Sequence, residues 1–327
     1  MMGKIKIGVT GLGSLIGQAI VKSIINSELT SKIHIIGFDY FTHTIGSFWV
    51  DNSIVLPDCL KKEIAEEYWL EKIIDYIGQE DIKVLFIGLD FELKLFAKYK
   101  NIIESRTQCK VMVSDYNVIE IADDKYLTYK FLKDNKLYYP ETYLPDEINN
   151  TNIHFPCIVK PRSGWRSKDV YTVENINVLH EMLPKIKNPI IQELIGSHED
   201  EYTCGIIYFN NSLKKMIALQ RDLKDGNTIT ACFRKNIPQI IYEYIQQVSD
   251  YLKPFGACNY QLRMDNNMKP KIFEINARHS GTTYIRSLFG FYEVEYILAY
   301  VMGYRIKDFD IKEGVVKRYY NEMFIGK

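Results

Sequence analysis

Two rhythms of hydrophobic and polar residues alternate through the first third of the chain. Short runs that are almost wholly apolar, at residues 4–9, 34–39, 84–87 and 111–113, are separated by longer amphipathic stretches. The short runs have few polar positions, the mark of strands buried on both sides. The longer stretches predict helices over 15–26, 61–77 and 91–103; in 61–77 the apolar face is Ile64, Trp69, Leu70, Ile73, Ile74 and Ile77. Strand and helix in alternation predict a doubly wound α/β domain with a parallel sheet over residues 1–115.

The texture then changes. Asp123 and Asp124 are capping residues for a helix over 126–134, which Tyr139-Pro140 and the polar stretch 145–152 end. From 155 on, strand-like segments dominate, at 158–160, 170–173, 189–193, 202–208, 214–220, 257–264 and 271–276, with helices over 177–186 and 238–252. Turn sequences such as Asp225-Gly226-Asn227 and Asp265-Asn266-Asn267 predict antiparallel neighbours. The expected class is a parallel α/β domain followed by an α+β region over 116–327.

Three glycines, Gly11, Gly13 and Gly17, follow the first strand in TGLGSLIGQAI. A dinucleotide fingerprint is G-x-G-x-x-G with an acid about 20 residues on. Here the spacing is G-x-G-x-x-x-G, with Asp39 closing the second strand. An anion cradle at a helix N-terminus and a tight turn with no ligand both fit the stretch.

A stronger pattern lies in GACNYQLRMDNNMKPKIFEINARHSGT, residues 256–282. Side chains alternate faces along a strand. Asn259, Gln261 and Arg263 therefore share one face, and Ile272, Glu274, Asn276 and Arg278 share another. With 265–270 as the loop, Met264 pairs with Lys271, Gln261 lies opposite Glu274, and Asn259 opposite Asn276. Opposed residues have Cβ atoms about 4.5–5.5 Å apart. One face thus gathers a carboxylate, amide oxygens and an arginine, a set suited to Mg2+ shared with substrate phosphates. Lys160 at the end of an apolar strand and Lys125 after two aspartates are candidate phosphate contacts. The strand reaching Gln192 and Glu193, with Leu194 and Ile195 after it, offers an adenine platform, and Glu201 a partner for ribose hydroxyls.

Composition narrows the field. With 41 basic and 41 acidic residues the formal charge is zero, which gives no reason to expect nucleic acid or a membrane surface as partner. Six scattered cysteines form no C-x-x-C pair, and no apolar run reaches spanning length, so the expected location is the cytoplasm. The histidines have no zinc spacing, and no G-x-S-x-G elbow is present.

Lys125, IVKPRSGWRSKDV, IIQELIGSHEDEYT and QLR…FEINARHSG, in this order, resemble the ATP-grasp superfamily, and most the large subunit of carbamoyl-phosphate synthase. The resemblance runs over nearly the whole chain. It implies an ATP-grasp fold: residues 1–115 as the preceding Rossmann-like domain and 116–327 as the ATP-grasp region, with a mobile lid at about 150–190. It implies that Lys125 and Lys160 bind ATP phosphates. The 192–195 segment (Gln192, and Glu193 and Ile195 through their backbones) holds adenine, and Glu201 holds ribose. Gln261, Glu274 and Asn276 hold Mg2+ or Mn2+, and Arg278 meets the transferred phosphate. Gly11, Gly13, Arg221 and Arg286 are the expected substrate contacts, with Arg263 nearby. The reaction implied is that of an ADP-forming ligase: a small carboxylate is activated as an acyl phosphate for attack by an amine. Both partners are small molecules, and a homodimer is left open. Two other readings compete: an NAD-dependent oxidoreductase using the glycine loop, and a non-catalytic ATP-binding protein. The chain departs from the family at Trp165 and Arg166, where the loop over the phosphates normally has small residues.

Overall fold

The computed structural model describes residues 4–150, 152–164 and 168–326; Trp165 and Arg166 lie outside the described residues. Five short strands, β1 (Ile5–Thr10), β2 (Ile33–Asp39), β3 (Asn52–Val55), β4 (Val84–Phe86) and β5 (Lys110–Met112), form a sheet of order β3-β2-β1-β4-β5, every pair parallel. Helices α1 (Leu15–Ile25), α2 (Glu66–Glu80), α3 (Leu93–Thr107) and α4 (Tyr116–Asp123) accompany it. The strand order reverses between β1 and β4. In such sheets the crevice at that reversal, at the carboxyl ends of the strands, is where ligands bind. Here it is bordered by Ser14 after β1 and by Gly88 to Asp90 after β4.

A short helix, α5 (Lys125–Asp134), is capped by Asp124, whose carboxylate accepts from Tyr126 and Leu127 N–H, as the aspartate pair predicts. A small antiparallel sheet follows: β6 (Thr142–Tyr143), β7 (Cys157–Pro161), β8 (Tyr171–Val173) and β9 (Pro189–Glu193), in the order β6-β9-β7-β8, with α6 (Ile176–Met182) over it. The second, larger antiparallel sheet contains β10 (Glu201–Phe209), β11 (Ser212–Lys224), β12 (Asn227–Phe233), β13 (Gly256–Met264), β14 (Pro270–Asn276) and β15 (Gly314–Lys317). Its order is β14-β13-β10-β11-β12-β15. Helices α7 (Gln239–Leu252), α8 (Thr283–Leu288) and α9 (Glu293–Met302) complete the fold.

The apolar face expected of α2 is buried from Trp69 to Ile77. The helix starts at Glu66 rather than near 61, with two glutamates in its first turn, where the helix dipole favours them. Two hydrophobic clusters mix residues of the parallel sheet with residues of the large antiparallel one: Phe38 and Leu85 with Tyr260 and Leu262, and Ile7 and Val9 with Ile207 and Phe209. The small sheet has its own core of Cys157, Val159, Val173, Leu179, Ile186 and Ile191.

The candidate active site

A cavity of about 540 Å3 opens between the strand-order reversal of the parallel sheet and the large antiparallel sheet. Its floor is the β13–β14 hairpin. The loop there is one residue shorter than expected, so Met264 pairs with Pro270 and Arg263 with Lys271. A β-bulge at Phe273 restores the count: two residues of the bulged strand oppose one on the partner. Beyond it Gln261 faces Glu274 and Asn259 faces Asn276, the register the sequence predicts. The bulge also corrects one expectation: Ile272 pairs with Leu262 in the core, fully buried, and does not share the face of Glu274.

Glu274 is the centre of this face. Its Oε1 accepts from Gln261 Nε2 (3.3 Å) and Asn276 Nδ2 (3.0 Å), and it has no ion pair among the described residues. The amide oxygens look outward: Gln261 Oε1 accepts from Arg221 (2.7 Å) and Asn276 Oδ1 from Arg278 (3.0 Å). A half-turn of each amide exchanges oxygen for nitrogen and turns two oxygens toward the carboxylate. That donor set fits a hard divalent cation that takes its remaining oxygens from phosphate and water. No group of three His, Cys, Asp or Glu among the described residues could hold a metal; the donors here are one carboxylate and two amides.

Arg278 is fixed by Asp90 (Nε to Oδ1 2.5 Å) and by the His279 carbonyl (2.8 Å). Asp90 was not anticipated from sequence. Its signal is positional, an acid just past the strand that borders the reversal point.

Lys160, on β7, is buried, and its ammonium lies 3.5 Å from the Phe273 carbonyl. Burial, and then repulsion from Lys125, pull its pKa down to about 7. Lys125 opens α5 and points back at the loop after β7, to the carbonyls of Arg162 (3.4 Å) and Gly164 (3.3 Å). A cation at a helix N-terminus opposes the dipole; its contacts with that loop and its place on the cavity wall account for it. Asp124 grips the same loop through Arg162.

At the end of β9, the Glu193 carboxylate is held by Lys271 (2.6 Å) and by Glu141 N–H (3.0 Å). The Glu193 N–H is also taken, by the Glu141 carbonyl at 2.8 Å. Ile195 is buried, and its carbonyl accepts from Arg263 at 3.4 Å.

Four sequence assignments meet other partners in the structure. Gln192 is buried inside the small sheet, donating to Thr142 Oγ1 at 2.9 Å, and lies off the cavity wall. Glu201 is buried and forked by two guanidinium groups, Arg221 on Oε1 (2.9 and 2.7 Å) and Arg263 on Oε2 (2.9 Å), so it presents no free edge to a sugar. Arg286 is 1% exposed and lies under the floor, paired with Glu293 at 2.7 Å and bonded to Asn259, Ser280 and Thr282. Gly205 leaves room for its guanidinium, since a Cβ there would sit 2.4 Å from Arg286 Cζ. Arg221 does line the cavity, but Glu201 and Gln261 occupy it. The fourth is the glycine loop. Gly11 N–H bonds the Phe38 carbonyl (2.8 Å), Gly13 N–H the Asp39 carboxylate (2.7 Å) and Gly17 N–H the Ser14 hydroxyl (2.9 Å). None is free for an anion. Asp39, the acid that a dinucleotide reading assigns to a ribose, fills the cradle itself.

Comparison with known proteins places these observations. Residues 122–282 match the family model of the ATP-grasp domain. A D-alanine–D-alanine ligase of Pseudothermotoga lettingae is 27% identical over 188 residues, 52% of this chain and 60% of that protein. An uncharacterised protein of Mycoplasma genitalium is 30% identical over 123 residues, 37% of this chain and 40% of that one. The chain thus spans less than two thirds of these curated relatives. An ADP complex of N5-carboxyaminoimidazole ribonucleotide synthetase superposes with a TM-score of 0.75 at 11% identity, covering 95% of this chain and 80% of that one. The L-amino acid ligase of Bacillus licheniformis gives 0.70 at 13%, covering 92% and 75%.

Proposed function

Because the chain belongs to the ATP-grasp family through residues 122–282, we propose that it is an ADP-forming ligase that activates a small carboxylate as an acyl phosphate for capture by an amine. The observation that carries this reading is Glu274: a cleft-facing carboxylate with no ion pair among the described residues, flanked by two amides, with the buried Lys160 ammonium at the carbonyl of the preceding residue, Phe273. Bound ATP with Mg2+ or Mn2+ would supply the phosphoryl group and the charge that offsets its negative oxygens. The chain's own part is positioning and electrostatics, which carry most of the catalysis in phosphoryl transfer. Gln261, Glu274 and Asn276 would hold the cation, and Lys125 and Lys160 the phosphates. The backbones of Glu193 and Ile195 would read the adenine edge. Arg278, fixed by Asp90, would meet the phosphoryl group in transit. In this reading Glu201 anchors Arg221 and Arg263 rather than ribose.

The occupied glycine loop weighs against a nicotinamide site, and the donor set at Glu274 weighs against an inert nucleotide binder. Cytoplasmic placement is in keeping with free thiols at Cys59, Cys109, Cys157, Cys204, Cys232 and Cys258. No helix among the described residues is long and apolar enough to cross a membrane.

The test is ADP release from ATP and Mg2+ against pooled amino acids and small carboxylic acids. Glu274→Gln should lower it by roughly 100-fold or more with an unchanged melting curve. Full activity in that variant, or binding of NAD in place of ATP by the parent, refutes the reading.

A further inference from the structure

The basic groups bordering the cavity differ in how their charge is balanced. Arg278 is answered by Asp90, Arg221 by Glu201, and Lys94 by Asp123. Lys125, turned to the carbonyls of the loop after β7, and Arg318 have no such partner among the described residues. Arg318 is the one that stands apart from the proposed phosphate contacts. It follows β15, and its N–H extends the edge pairing to the Ile229 carbonyl at 2.7 Å. Its guanidinium enters the cavity wall and donates to the Gly281 carbonyl at 2.5 Å. A neutral carbonyl satisfies one donor of the fork and leaves the charge unbalanced.

A second cation lies close by. Lys22, on α1, sits 4.8 Å from the ring of Trp49 and 5.9 Å from that of Tyr284. The rings hold the ammonium without neutralising it. Neither Lys22 nor Arg318 makes an ion pair among the described residues. Burial lowers the pKa of both, and Arg318 lowers that of Lys22 further. Two partly buried cations with no ion pair among the described residues are a poor arrangement for stability alone. Both flank the segment that leads into α8: Arg318 donates to the Gly281 carbonyl, and Lys22 lies 5.9 Å from the Tyr284 ring.

We propose that Arg318 and Lys22 bind an anionic group, carboxylate or phosphate, carried by the acceptor substrate apart from its reacting centre. The anion site stands on these side chains alone; that its occupant is an acceptor rests on the ligase reading. The substrate class is then a small amine that also carries an acidic group, such as an amino acid or a phosphorylated amine. The planar fork of Arg318 suits either anion bidentately.

The full chain is titrated calorimetrically with inorganic phosphate and, separately, with succinate, without nucleotide and with saturating ATP and Mg2+. In Arg318→Ala and in Lys22→Met the dissociation constant of at least one anion should rise tenfold or more. Arg318→Lys should lose less, and the affinity for ATP should stay within twofold in all three. The anion with the larger loss identifies the headgroup. No binding by the parent chain, or unchanged affinity in Arg318→Ala, overturns the proposal; a loss confined to Arg318 removes Lys22 and overturns the two-cation form. Anion binding that depends on Arg318 in a chain that does not bind ATP would sink the ligase reading and leave this site standing. The two residues lie on separate elements, so misfolding of one variant leaves the other as the test.

Discussion

Lys160 shows how far a single residue can be set against its surroundings. An ammonium buried beside Lys125, with its pKa near 7, is destabilising when no anion is present. The unfolded chain holds that proton up to about 10.5, whereas the folded one releases it near 7. The contribution of Lys160 to stability is therefore fully present above the unfolded value and is lost as pH falls through 7. Lys160→Met should raise the melting temperature at pH 7 by roughly 1–3 °C and weaken nucleotide binding at least tenfold. Phosphate favours the charged form, so nucleotide binding above pH 7 takes up a proton. Affinity should fall as pH rises, by at most about tenfold per unit. Calorimetry in buffers of different ionisation enthalpy measures the uptake; none above pH 7 would mean that Lys160 does not meet phosphate. The identity of this lysine was legible from its place at a strand end. Its state was not, because the groups that depress it, Lys125 and Arg263 among them, come from distant parts of the chain.

Among the elements, strand order and helix faces follow from the periodicity, while the register of the β13–β14 hairpin is legible only at its far end. Simple alternation runs through Phe273, and the bulge there offsets a loop one residue short of the expected one. Deleting Phe273 should remove the bulge, turn Glu274 or Ile272 to the wrong face, and abolish activity. The glycines after β1 were read as a possible cradle because spacing alone does not separate ligand approach from chain packing. The structure assigns Gly17 to packing: a Cβ there would lie 2.1 Å from the Gly11 carbonyl oxygen. Gly17→Ala should destabilise the protein by about 2–4 kcal/mol, read as a drop in denaturation midpoint. Gly78, near the end of α2 with no atom within 4 Å of its Cβ position, is the counter-case. Gly78→Ala should stabilise by about 0.5–1 kcal/mol.

For the whole molecule, the boundary near 115 marks a change of sequence texture more than a break in packing. Two clusters join the parallel sheet to the large antiparallel sheet, and one belongs to the small sheet alone. Residues 116–327 expressed alone should expose the partners of Trp69 and Phe38 and aggregate or lose cooperative melting. The small sheet should exchange its amide protons faster than β10 and β13, and ATP with Mg2+ should slow exchange most over 157–193. Equal protection everywhere would argue that the small sheet does not close on nucleotide. No sequence pattern announces such sharing, since the pairs that build it, like Asp90 with Arg278, lie far apart along the chain.

The doubly forked Glu201 has a consequence at this scale. Arg263 touches the Ile195 carbonyl and Glu201, Glu201 touches Arg221, and Arg221 touches the amide of Gln261. In the proposed ligase, base recognition at Ile195 and cation binding at Gln261 would be two ends of one charged chain of contacts. Their affinities would then be linked, and the linkage reciprocal. A triphosphate whose base does not seat at Ile195 should hold its metal less firmly than ATP does. Glu201→Gln should shrink that difference while leaving the hairpin that carries Glu274 in place.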